Sequence, residues 1–201
     1  MRKISLHQTT SQLNCGKEYH FDDEIVYAFD NVFDDETLRS FHSYKVTKRE
    51  ESIPVPYQEH LPRQAWTLDI KDPISPIDDE DMSVLLKVIN KLCNTNFKHI
   101  SASLWEDYTG YQIDKHVDNK SFVAALQIYL PTYGEKMKQQ NNKLLEDTGT
   151  QFYHNNPESV VSIPFIPNTG YLCTNSQKVF HSSGKPVPEG LTRSSIYFIL
   201  K

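Results

Sequence analysis

Cysteine is scarce. Cys15, Cys93 and Cys173 are odd in number, widely spaced and in no CxxC pattern. A disulfide framework is therefore not expected, and a reducing, cytoplasmic setting is the simpler reading. Long hydrophobic runs are missing too. No apolar stretch approaches the roughly 20 residues that a membrane-spanning helix needs. Met1-Arg2-Lys3 leads into polar residues rather than the apolar core of a secretory leader, so no membrane partner is expected. Positive charge is not in excess: 21 Lys and Arg stand against 26 Asp and Glu, a formal net charge of −5. That argues against a broad basic face for nucleic acid or anionic lipid. There is no internal repeat and no low-complexity tract. Ser182-Ser183-Gly184 lacks the G-x-S-x-G pattern of a nucleophile elbow.

What remains is an ordinary folded composition, 38% hydrophobic and 23% charged over 201 residues, which suits one domain over 1–201. Eleven Tyr and ten Phe favour β structure. Residues 1–97 read as a support region of strands and helices. Alternation marks a strand over 24–29. Asp34 caps a helix through about Tyr44, with Asp35 and Glu36 in its first turn. Pro54, Pro56 and Pro62 mark a loop over 50–64, and Ala65 to Ile70 a short strand. Ser75-Pro76 opens a second helix with an apolar stripe of Met82, Leu85, Leu86, Ile89 and Leu92, stopped at Asn94. From residue 98 the pattern is β: 100–105, 113–118, 121–130, 149–152, 160–165, 170–173, 179–181 and 193–200. Many short strands between Asn, Gly and Pro turns predict a sandwich or barrel. Gly134 to Asp147 is a polar insertion, expected to form a flap at the mouth of a site.

The chemistry concentrates at Gly110-Tyr111-Gln112-Ile113-Asp114-Lys115-His116-Val117-Asp118-Asn119. In an extended stretch every second side chain points the same way, so His116 and Asp118 share a face. Imidazole plus carboxylate is two thirds of a facial triad for non-haem Fe(II), and a distant His would complete it. His181 is the candidate; the other histidines have no partner at ligand spacing. Arg193 follows in the last strand-like run.

This order resembles the 2-oxoglutarate- and Fe(II)-dependent oxygenases, most closely the prolyl 4-hydroxylase-like branch. The resemblance spans about Ile25 to Leu200. It implies an α+β, mainly β fold: a double-stranded β-helix, a cupin-like jelly roll, with N-terminal helices packed on one sheet. It implies His116, Asp118 and His181 as metal ligands and Arg193 as the cation for 2-oxoglutarate. Tyr129 matches the Tyr that meets the cosubstrate's far carboxylate, and Gly149-Thr150-Gln151-Phe152 matches a family Gly-rich segment. Ser195 shares Arg193's strand face and adds a hydroxyl. Three facial ligands leave three positions for 2-oxoglutarate and O2, and an Arg fork suits a buried carboxylate in a way that Lys cannot copy.

The implied activity couples decarboxylation of 2-oxoglutarate, to succinate and CO2, with hydroxylation of an unactivated C–H bond. Ascorbate is a conceivable reductant. Peptidyl proline is the favoured substrate, with a free amino acid or other small metabolite as runner-up. Asp118 argues against the halogenating branch, which lacks that carboxylate. Ile199, six residues beyond Arg193, stands where nucleic-acid dealkylating members carry a second Arg. The rivals from other classes are a non-catalytic β-barrel that binds metal or a small acid, and a structural jelly roll that binds no iron.

Overall fold

Alternation builds the sheet that carries the site. The computed structural model describes residues 14–48, 53–54, 62–119, 123–131, 143–154 and 159–201. The polar insertion lies outside the described residues as far as 142, as does most of the Pro-rich loop. In chain order the elements are β1 (Asn14–Phe21), β2 (Glu24–Asp30), α1 (Asp35–Thr47), β3 (Ile53–Pro54), β4 (Arg63–Thr67), α2 (Asp79–Cys93), β5 (Ile100–Asp107) and β6 (Ala124–Leu130). Then follow a 3-10 turn (Glu146–Thr148), β7 (Thr150–Tyr153), β8 (Val160–Ile163), β9 (Thr169–Cys173), β10 (Phe180–Ser183) and β11 (Arg193–Leu200). The major sheet has eight strands in the order β1-β2-β9-β6-β11-β5-β4-β3, and a three-stranded sheet runs β10-β7-β8. This is the mainly-β, two-sheet architecture with few helices that the sequence implies.

The two faces of β11 separate core from site. Ile196, Phe198 and Leu200 join Leu38 and Phe41 of α1 and Met82, Leu85 and Ile89 of α2 in one apolar cluster. Burying each such side chain is worth about 1.5–3 kcal/mol, which holds the helices on that face. The other face bears Arg193, Ser195 and Tyr197. It faces a second cluster that links the sheets, with Tyr129 and Tyr171 from the major sheet and Phe152 and Ile163 from the minor one.

Asp34 caps α1 by accepting from the Thr37 N–H at 2.7 Å. The second helix begins later than its Ser75-Pro76 signal suggests. Asp78 is the cap, in a reciprocal capping box with Asp81, while the Ser75 hydroxyl donates to the Ile77 carbonyl. A carboxylate that satisfies two orphan N–H groups outcompetes a proline that satisfies none. Asn94 ends α2 in the left-handed region, φ 50°. The segment 113–118, expected as a strand, is irregular apart from a single antiparallel bridge between His116 and His181. The short strand expected over Ala65–Ile70 runs instead over Arg63–Thr67, and so includes Arg63.

Candidate metal centre and its cavity

Cross-strand register lays out the site face in rows. Arg63, Asp107 and Arg193 stand side by side on β4, β5 and β11. Two residues along are Ala65, Trp105, Ser195 and Tyr129. Two further are Thr67, Ser103, Tyr197, Gln127 and Tyr171. A cavity of about 380 Å³ runs over this face. It is walled by Arg63, Trp105, Gln127, Tyr171, Arg193 and Tyr197 from the major sheet, by Thr150, His181 and Ser182 from the minor one, and by the loop residues Tyr111, Ile113, His116 and Asp118. Arg193 and Tyr197 lie four residues apart on one strand, roughly 13 Å at strand rise.

At the Tyr197 end, one ligand atom each from His116, Asp118 and His181 falls within 4.8 Å of the others. The loop that carries His116 and Asp118 is tied to β10 by backbone bonds. His116 N–H donates to the His181 carbonyl at 2.9 Å and His181 N–H returns the bond at 2.8 Å. Asp118 N–H is held by the Ser176 carbonyl at 2.9 Å. These bonds do the positioning that a regular strand was expected to do.

The ring nitrogens settle which atoms face inward. His116 Nδ1 lies 2.8 Å from the Asp114 carbonyl, and His181 Nδ1 lies 3.0 Å from the Val179 carbonyl. A carbonyl only accepts, so each neutral ring carries its proton on Nδ1 and presents its Nε2 lone pair to the cluster. Those Nε2 atoms sit 3.9 Å and 3.5 Å from Asp118 Oδ1. Tyr197 donates its hydroxyl to Asp118 Oδ2 at 3.0 Å, fixing the carboxylate from behind. Burial would raise the Asp118 pKa, but His181 and the Tyr197 bond outweigh it and hold the carboxyl below its ordinary range. Burial, followed by the neighbouring His181, pushes the His116 pKa down. Two imidazole Nε2 atoms and one ionised carboxylate make up a donor set that fits a divalent first-row metal, with one side open to the cavity.

The opposite end is cationic. Asp107, with no exposed surface, takes Arg193 Nε and Nη2 on Oδ2 at 2.9 and 2.7 Å. It takes Arg63 Nη2 on Oδ2 at 3.1 Å and Arg63 Nε on Oδ1. Arg193 Nη1 donates to the Thr148 carbonyl. The Arg63 guanidinium is sandwiched between Trp105 and Tyr111, 4.0 and 4.2 Å from their ring centres. Trp105 in turn stacks on Tyr197 at 4.2 Å, so one packed stack of rings joins the cationic end to the metal end.

The structure thus brings His116, Asp118 and His181 together and places Arg193 in the same cavity. Tyr129 and Ser195 lie on the predicted face but just behind the lining. The Tyr129 hydroxyl donates to Thr150 Oγ1 at 2.8 Å, and burial pushes its pKa up to about 12. Ser195 accepts from Gln127, which accepts from Tyr171. Arg63, Asp107, Tyr111, Gln127 and Tyr171 were not singled out from sequence as site residues. The period-two pattern of β4 and β5 would have found the first two, given the strand order.

No family model and no curated protein matches the sequence. Solved structures do match. A Pseudomonas putida prolyl-4-hydroxylase superposes with a TM-score of 0.65 at 13% identity, covering 88% of this chain and 91% of that one. A prolyl hydroxylase from Trichoplax adhaerens, in complex with a hypoxia inducible factor oxygen degradation domain peptide fragment, gives 0.59 at 11% identity, covering 87% and 82%. The non-heme α-ketoglutarate-dependent epimerase SnoN from nogalamycin biosynthesis gives 0.62 at 9% identity, covering 98% and 82%. Among the described residues no helix is long and apolar enough to cross a membrane. The chain has the fold of the prolyl 4-hydroxylases and other 2-oxoglutarate/Fe(II) oxygenases, with a His-x-Asp…His cluster at one end of its inter-sheet cavity.

Proposed function

We propose that the protein is an Fe(II)- and 2-oxoglutarate-dependent dioxygenase that hydroxylates a C–H bond. The observation that carries this reading is the polarity of the cavity. Three metal-ligand atoms converge at one end, and guanidinium groups line the other. A cosubstrate that chelates a metal through a keto acid and ends in a second carboxylate needs those two ends. His116, Asp118 and His181 would hold the Fe(II), and Arg193 the far carboxylate, with Thr150 and Tyr129 beside it. When bound, Fe(II) and 2-oxoglutarate supply oxygen activation coupled to decarboxylation. The chain's own residues orient and exclude. Tyr197 fixes the Asp118 carboxylate, the two carbonyls fix the imidazole tautomers, and the ring stack of Trp105 and Tyr197 keeps one wall dry.

Peptidyl proline is the proposed substrate, supported by the likeness to two prolyl hydroxylases, one of them bound to a peptide fragment. A small metabolite is the second reading, favoured by the likeness to an epimerase of a biosynthetic pathway. The same reading takes the whole of 1–201 as one oxygenase domain. The test is succinate formation from 2-oxoglutarate with Fe(II), measured against proline-containing peptides and free amino acids. Substrate-stimulated turnover is expected for one class and none for His181→Ala. Succinate formation undiminished in His181→Ala would overturn the assignment.

A further inference from the structure

One charge and one hydroxyl in the cavity are unused by that function. Asp107 already engages Arg193 through two of its nitrogens, so this ion pair alone is neutral. A ligand carboxylate brought to it would meet Asp107 as well as the guanidinium. The second guanidinium on the same Asp107, that of Arg63, restores the balance. Two arginines against one buried carboxylate leave a single positive charge. Arg63 spends Nε and Nη2 on Asp107, and its Nη1 has no partner among the described residues. Beside it, the buried Tyr111 hydroxyl has no hydrogen-bond partner among the described residues either. The Tyr111 ring lies between the two guanidiniums, 4.2 Å from Arg63 and 5.3 Å from Arg193, and both arginines and Tyr111 line the cavity. A buried hydroxyl left unpaired is costly, so its retention at the cavity wall points to a ligand atom as its partner.

We propose that Arg63 and Tyr111, together with Arg193, form the seat for the far carboxylate of the dicarboxylate cosubstrate, with Asp107 setting the charge of that seat to a single positive unit. The proposal rests on the dioxygenase reading above. It gives Arg63 a role equal to that of Arg193, since without Arg63 the remaining Asp107–Arg193 pair is neutral. It also makes Asp107 a positioning residue that orients both forks toward the cavity.

The test is anaerobic titration of the full chain, with Fe(II) first and 2-oxoglutarate second, followed by absorbance and calorimetry. Arg63→Gln should bind Fe(II) like the wild type and bind 2-oxoglutarate about tenfold to a hundredfold more weakly, the cost of a charged hydrogen bond and its field. Adding Asp107→Asn to Arg63→Gln removes the carboxylate that neutralises Arg193, restores a single positive charge, and should recover part of that loss. A merely structural Arg63 would instead make the double variant worse. Tyr111→Phe keeps the ring and guards against misfolding of the other variants. It should raise the Tm of the ligand-free protein while weakening 2-oxoglutarate binding, two effects of opposite sign. Unchanged 2-oxoglutarate affinity in both Arg63→Gln and Tyr111→Phe would overturn the proposal while leaving the dioxygenase reading standing. Wild-type protein that binds no 2-oxoglutarate after loading with Fe(II) would overturn both.

Discussion

At Asp107 a single carboxylate without exposed surface faces two guanidiniums. Asp107→Asn would leave both charges buried and facing each other, a loss of about 3–5 kcal/mol. The pH dependence has a definite sign. Burial alone would raise the Asp107 pKa, but Arg63 and Arg193 outweigh it and hold the carboxyl below its ordinary 3.8. The unfolded chain takes up this proton at the ordinary value and the folded chain only below it. The stabilisation is therefore complete above the unfolded value and is lost as pH falls through the depressed one. The Tm difference between wild type and Asp107→Asn should stay constant from about pH 7 to 5 and narrow only below about pH 4. A gap that closed above pH 5 would contradict this charge assignment. At the metal end, Tyr197→Phe removes the bond to Asp118 Oδ2 but no ligand atom. It should weaken Fe(II) binding roughly 10- to 100-fold, as loss of an outer partner does. His181→Ala should weaken it further, and equilibrium dialysis would rank the two.

Elements decide which residues the sequence could reveal. The H-x-D motif was legible because its two members are two positions apart, and β11 because Arg193, Ser195 and Tyr197 alternate with Ile196, Phe198 and Leu200. The first helix was legible from its Asp34 cap and the second from its apolar stripe, though the start of α2 was not, since Asp78 and Pro76 compete as signals. Arg63 was illegible for a different reason. Its partner Asp107 is 44 residues away, and Arg193 lies a further 86 beyond Asp107. Their meeting depends on β4 and β11 flanking β5, a fact of sheet order that no local pattern carries. Tyr111 likewise stood within the motif stretch, with no local signal to mark its hydroxyl as a site group. Gly149 shows how tightly such elements set the site. A Cβ there would collide with the backbone of Ile163, Pro164 and Phe165. Its neighbours Thr148 and Thr150 respectively accept from Arg193 and line the cavity. Gly149→Ala should therefore cost about 1–3 kcal/mol by overpacking, seen as a lower urea midpoint, and should weaken 2-oxoglutarate binding as well.

Across the whole molecule, the cavity draws its walls from both sheets. His181 belongs to β10 of the minor sheet, Arg193 to β11 of the major sheet, and His116 and Asp118 to the loop between β5 and β6 that is bonded to β10. A metal held by all three ligands would pin that loop to the minor sheet. A cosubstrate reaching from the metal to Arg193, as proposed, would then bridge the minor sheet to the major one. Binding to the folded chain alone stabilises it by mass action, about 2.7 kcal/mol at a hundred times Kd. For a chain of this size that corresponds to roughly 5–10 °C in Tm. On the proposed reading the order of addition matters, because the metal would form one of the two anchoring ends. Fe(II) alone, under anaerobic conditions, should raise Tm, and 2-oxoglutarate should raise it further only when the metal is present. In His181→Ala neither addition should move it. In Arg193→Ala the metal step should persist and the 2-oxoglutarate step should vanish, because Arg193 touches no ligand atom of the cluster. Differential scanning fluorimetry of the three proteins, with and without each addition, reads all of these outcomes. A full 2-oxoglutarate step in metal-free wild type would mean that the acid binds without chelation, and would favour a small-acid binding barrel over an oxygenase.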